Sequence, residues 1–210
     1  MKYETLIFDL DGTISDPKLG IVRSMNHALA AHGYNTRSEE EIARYIGPPL
    51  DQTFIELVES RQSSLILDLV DTYRQRYAEI GYAENHLYAG IRESLDKLKQ
   101  QGKYRLGVCT SKRADFASQI LALFDLHDHF EFVDGGDVGI EKWQQLQALK
   151  QNGVISDKSL MIGDRYVDLT AAHRNGLESA GVLWGYGSKA ELEQHSPRFL
   201  LAEPNELTQL

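Results

Sequence analysis

The chain has 210 residues, 42% of them hydrophobic and 25% charged, which is ordinary globular usage and enough for one large domain or a domain carrying an insertion. Its formal net charge of −9 argues against duplex nucleic acid as a partner, because such binding rests on clustered Lys and Arg; a small anion in one local basic pocket stays possible. The single cysteine, Cys109, cannot close an internal disulfide, no apolar run is long enough to span a bilayer, and MKYETLIFDL lacks the apolar stretch and cleavage site of a secretory signal, so a cytoplasmic protein with no membrane partner is expected.

Residues 3–9 read as a strand, an apolar run that ends in two aspartates, Asp9 and Asp11. In a strand, residues two apart share a face, so these carboxylates repel unless a proton or cation lies between them. Asp11-Gly12 is also a strong hairpin signal between apolar stretches. Residues 16–87 then carry almost entirely helical periodicity. Ile21, Val22, Met25, Ala28 and Leu29 recur at helical spacing up to Gly33. Ser38 with Glu41 three positions on makes a capping box for a helix expected to end at Gly47, and LDQTFIELVES and SLILDLVDTYRQRYAEIG add two more helices.

From residue 88 helices alternate with short apolar strands: YRLGVC (104–109), FEFV (130–133), SLMIG (159–163), SAGVLW (179–184) and RFLL (198–201). Such alternation signals a parallel sheet covered on both faces. The expected architecture is an α/β, Rossmann-like doubly wound parallel sheet from residues 1–15 and 88–210, with a helical insertion, residues 16–87, after strand one. Ligands of such sheets sit beyond the carboxyl ends of the strands. Those ends carry Asp9 and Asp11; Thr110, Ser111 and Lys112; Asp164, with Asp168 four residues on; and Lys142 opens the helix before Asp164. Each alone reads as a cap, turn or surface residue. Their coincidence at one sheet edge points to a site. The seven histidines show no metal-ligand spacing, and GYGSK (185–189) lacks a dinucleotide fingerprint.

DLDGT (9–13), VCTSK (108–112) and GDRYVD (163–168), in that order, resemble the haloacid dehalogenase superfamily of hydrolases across essentially the whole chain. The closest likeness is to its phosphoglycolate phosphatase-like and 5′-nucleotidase-like group, in which a helical cap follows the first motif. Lys142 is the matching lysine, although Trp143 follows where members often carry Pro; Lys150 is a rival deep in a helix. The resemblance implies a Mg²⁺-dependent phosphatase. Asp9 would be the nucleophile, forming an aspartyl phosphate, and Asp11 the acid and base. Mg²⁺ would be held by Asp9, Asp164 and the Asp11 carbonyl, with Asp168 in support. Thr110, Ser111, Gly12 and Thr13 would contact the phosphoryl group, Lys142 would neutralise charge, and Arg44 and Gly47 of the cap would touch the leaving group. The implied partner is a small phosphorylated metabolite, either phosphoglycolate or a nucleoside 5′-monophosphate. A sugar phosphomutase and a receiver-like phosphoacceptor domain are the alternatives; a dehalogenase would not need Asp11.

Overall fold

The computed structural model describes residues 2–210. Its frame is a six-stranded parallel sheet of β1 (Thr5–Phe8), β4 (Arg105–Thr110), β5 (Phe132–Gly135), β6 (Ser159–Gly163), β7 (Glu178–Val182) and β8 (Phe199–Leu201), in the order β5-β4-β1-β6-β7-β8. All four residues of β1 are buried, which explains its unbroken apolar sequence: it lies inside the sheet with both faces covered. Alternate side chains go to opposite layers. Leu6 and Phe8 pack with α5 (Ile91–Gln101) and α6 (Ala114–Leu123), whereas Ile7, Cys109 and Met161 pack with α7 (Lys142–Gln151) and α8 (Tyr166–Arg174). A short α9 (Lys189–Gln194) follows β7.

β5 begins two residues later than the apolar pattern FEFV suggests. Its register pairs Phe132 with Gly107, and the ring lies over that glycine; a Cβ there would come within 2.1 Å of Phe132. Steric fit between neighbouring strands therefore sets the start of β5.

Asp11-Gly12 makes a turn and not a hairpin, because both neighbours of β1 run parallel to it. The Leu10 carbonyl accepts from the amides of Thr13, Ile14 and Ser15, and Gly12 has φ +86°, a value that favours glycine. The chain then enters β2 (Ser15–Asp16), which pairs antiparallel with β3 (His86–Leu87). These two-residue strands are too short for a period-two signal. They set the two ends of the insertion side by side.

Between them lie α1 (Lys18–Ala31), α2 (Glu39–Ala43), α3 (Leu50–Leu57) and α4 (Ser63–Glu79). They bury their own cluster, including Leu29, Ile42, Phe54, Leu69 and Tyr77, and Phe116 of α6 joins it from the sheet side. The Ser38–Glu41 capping box forms as expected, but α2 stops at Ala43 and not at Gly47. Among the described residues no helix is long and apolar enough to cross a membrane. If Phe132 seating on Gly107 fixes the β4–β5 register, Gly107→Ala overpacks that contact and lowers stability by about 1–3 kcal/mol, read as a lower urea midpoint at unchanged slope.

Candidate active site

Asp9 and Asp11 leave β1 at the centre of the carboxyl edge and line one cavity beneath the insertion. Asp9 is 2% exposed. Its amide donates to the Ile162 carbonyl at 2.8 Å, and its Oδ1 accepts from the Leu10 amide at 2.7 Å and pairs with Lys142 Nζ at 2.9 Å. Asp11 Oδ2 pairs with Lys112 Nζ at 2.9 Å, while its Oδ1 is buried without a partner. Burial pushes the Asp11 carboxyl up; the Lys112 charge opposes this and Asp9 adds to it. The two like charges are thus divided: each faces its own lysine, and Asp11 is tilted toward the protonated form.

Asp164 follows β6 and is fully buried. Its Oδ1 accepts from Thr13 Oγ1 at 3.2 Å and its Oδ2 from the Tyr186 amide at 2.8 Å. Asp168, in the first turn of α8, accepts from the Arg165 amide at 3.0 Å through Oδ2 and pairs with Lys142 through Oδ1. One oxygen from each of Asp9, Asp164 and Asp168 lies within 4.8 Å of the others. Burial pushes Asp164 well up, with the charges of Asp168 and Asp9 adding, and lifts Asp168 to about 6 against the pull of Lys142. A buried, oxygen-only donor set whose members repel one another fits a hard divalent cation such as Mg²⁺. Lys142, 3% exposed, sits at the start of α7 between Asp9 and Asp168, whereas Lys150 lies at the far end of that helix and pairs with Asp157 at 2.6 Å.

At the end of β4, Thr110 is 1% exposed. Its carbonyl accepts from the Gly136 amide and from Gln145 Nε2, and its Oγ1 accepts the Lys112 amide at 3.3 Å, leaving the hydroxyl proton to donate elsewhere. Ser111 Oγ is buried without a partner, and both residues line the cavity.

Three expectations need correction. Thr13 is fully buried, outside the cavity lining, with its hydroxyl committed to Asp164. Gly12 is also outside the lining; its amide is used within the turn by the Ser15 carbonyl, and a Cβ would come within 2.2 Å of Asp164 Oδ2. Both residues shape Asp164 and do not face the cavity. Arg44 is exposed and lines a separate groove with Arg37 and Glu56. Ile42 points into the insertion's core, and a residue two positions further on a helical turn faces the opposite way. The cations that do line the cavity are Lys112, Arg74 and Arg113. Gly47 lines it, at φ +119°.

Sequence reading assigned no role to several residues that build the site. Lys112 was visible in VCTSK and Arg165 in GDRYVD, but neither spacing reveals a partner. Lys112 also bonds Tyr77 Oη of α4 at 2.9 Å and lies 4.4 Å from its ring centre. GYGSK wraps Asp164: besides the Tyr186 amide, a Cβ on Gly185 would come within 2.3 Å of both Asp164 Cβ and the Gly12 carbonyl.

The chain belongs to the haloacid dehalogenase-like hydrolase family, whose model matches residues 6–182. It is 35% identical over 214 residues to a 5′-nucleotidase of Pseudomonas aeruginosa, covering 100% of this chain and 96% of that protein. It is 34% identical over 190 residues to the tyrosine-protein kinase PtkA of Mycobacterium tuberculosis, covering 88% of this chain and 63% of that longer protein. The crystal structure of a predicted phosphatase from Clostridium acetobutylicum superposes with a TM-score of 0.92 at 32% identity, covering 99% of this chain and 97% of that one. The protein is a hydrolase of phosphate esters.

Removing the ammonium between two buried carboxylates leaves them unpaired. Lys142→Met is expected to cost about 3–5 kcal/mol in metal-free buffer, measured by urea unfolding. A loss below about 1 kcal/mol, the worth of an exposed pair, would show that Lys142 does not hold Asp9 and Asp168 together.

Proposed function

We propose that the protein is a Mg²⁺-dependent phosphomonoesterase that works through an aspartyl phosphate on Asp9, with residues 16–87 acting as the cap. The observation that carries this reading is the division of Asp9 and Asp11: Asp9 is paired to Lys142, and Asp11, raised by burial, keeps an unpartnered Oδ1 in the same cavity. A carboxylate of Asp9 attacks phosphorus as the ester P–O bond breaks, and Asp11 Oδ1 gives its proton to the leaving oxygen. Asp11 then takes a proton from the water that attacks phosphorus, the bond to Asp9 breaks, and inorganic phosphate leaves. Thr110 and Ser111 donate to the phosphoryl oxygens, and Lys142 offsets charge on Asp9. Asp9, Asp164 and the Asp11 carbonyl would hold Mg²⁺, with Asp168 in support; when bound, the ion neutralises phosphoryl charge.

Phosphoglycolate and a nucleoside 5′-monophosphate are the candidate substrates. The apolar wall of the cavity supports the second: Met25, Tyr45, Leu50 and Tyr73 of the insertion, with Phe116 of α6, offer apolar and aromatic surface suited to a base and sugar. The buried Cys109 fits a reducing, cytoplasmic setting.

Asp9→Asn should abolish phosphate release, and Asp11→Asn should slow it by at least about 10². Activity within about tenfold of wild type in either variant contradicts this mechanism. EDTA should stop turnover and Mg²⁺ restore it. Millimolar Mg²⁺ should also raise Tm, because it binds the gathered carboxylates of the folded chain. That gain should grow as pH rises through about 6, where Asp168 gives up its proton, since a proton there removes negative charge from the cluster that attracts the ion. An unchanged Tm at both pH 5.5 and 7.5 would mean that the three aspartates do not bind the ion.

A further inference from the structure

Arg165 takes no part in the chemistry above, yet its side chain is the core's grip on the cap loop. Its backbone is extended, at φ −123° and ψ 157°. Consecutive side chains of an extended segment point to opposite sides. Asp164 therefore faces the carboxylate cluster while Arg165 faces the insertion. The guanidinium is 8% exposed by residue and tied at both ends. Nε donates to Glu191 Oε1 at 2.9 Å on α9, and Nη1 donates to the Arg44 carbonyl at 3.3 Å and to the Ile46 carbonyl. Those carbonyls lie just past the end of α2, where no helical amide remains to bond them. The stem packs against the same loop: a Cβ on Gly47 would come within 2.8 Å of Arg165 Cγ. The loop it holds supplies Tyr45, Ile46, Gly47 and Pro48 to the cavity wall.

We propose that Arg165 is a positioning residue that fixes the Tyr45–Pro48 loop over the phosphoryl site, so that leaving-group selection depends on this link between core and insertion. The planar fork suits the task. One nitrogen is fixed on Glu191 while another reaches two carbonyls, which a lysine ammonium cannot do from one point. The selectivity part rests on the phosphatase reading; the mechanical part does not.

The test uses the full-length protein with Arg165→Gln and Arg165→Lys. Amide hydrogen exchange is followed in residues 44–48, through the amides of Arg44 to Gly47 since Pro48 has none, and, separately, in α8. In Arg165→Gln, exchange in 44–48 is expected to accelerate at least about tenfold, the factor lost with one charge-assisted hydrogen bond, while α8 keeps its protection. In the same variant, kcat/KM for a nucleoside 5′-monophosphate should fall at least about fivefold more than that for p-nitrophenyl phosphate. Arg165→Lys should restore part of both losses. Unchanged exchange in 44–48, equal acceleration in the loop and α8, or equal losses on both esters would overturn the proposal. If wild type hydrolysed no ester, the phosphatase reading would fail, and the exchange pattern alone would decide the positioning role.

Discussion

The constraint on which the structure turns is the gathering of four carboxylates, Asp9, Asp11, Asp164 and Asp168, at 9% exposure or less beyond the carboxyl ends of two adjacent strands. Taking charge out of water is costly unless partners are supplied, and each partner must come from a different element. Lys142 arrives from the start of α7, Lys112 from the end of β4, and backbone or hydroxyl donors from the turn at Thr13, from Leu10 and from the loop at Tyr186. Two ammonium groups do not balance four carboxylates. Burial first, with repulsion among the carboxylates adding to it, raises proton affinity at Asp11, Asp164 and Asp168. On the proposed reading, the same imbalance would draw a divalent cation to Asp9, Asp164 and Asp168, and it leaves Asp11 able to hold a proton. The features that make the cluster unfavourable by itself are those that make it chemically useful.

Burial of the cluster is not a property of the sheet alone. Open parallel sheets leave a crevice at this edge, and here the insertion covers it. The pairing of β2 with β3 returns the chain to the place it left, so an insertion of four helices attaches through two short adjoining segments and does not interrupt the sheet. The insertion keeps its own hydrophobic cluster. Division of labour follows from this construction. On the proposed reading, groups that meet the phosphoryl group stand on strand ends and helix starts fixed by the core, and the insertion supplies the wall that would meet the rest of a substrate.

How much could be read from the sequence depended on how local the determining interaction was. Strand β1 and its aspartates, Thr110 after β4, Asp164 after β6 and Lys142 at a helix start were legible because apolar periodicity locates the element and chain order locates its end. The Ser38–Glu41 capping box was legible for the same reason: both partners lie within one turn. Arg44 was misplaced because motif proximity does not state a helical face, and the buried Ile42 had already fixed that face. Phe132 over Gly107, the GYGSK loop around Asp164, and Lys112 against Tyr77 are contacts between distant segments. No period or spacing encodes them. Asp11-Gly12 signalled a hairpin where the structure has a tight turn, and the reason that glycine is needed there lies partly 152 positions away, in the carboxylate of Asp164.

Besides the Arg74–Asp137 ion pair at 2.6 Å, two cations tie the insertion to the core in different ways. On one side Lys112 joins Asp11 of the core to Tyr77 of α4, whose ring stacks on Tyr73 and meets Phe116 edge-on. On the other side Arg165 joins α9 to the carbonyls after α2. The first places a cation against an aromatic wall; the second places one against backbone carbonyls. Both cations would have to be rehydrated if the insertion moved away, and Lys112 would keep Asp11 as a partner while Arg165 would keep Glu191. Neither cation is therefore left unpaired in an open arrangement, which limits the cost of opening. A cavity wall built this way can be firm enough to orient a substrate and still release from the core without stranding a buried charge.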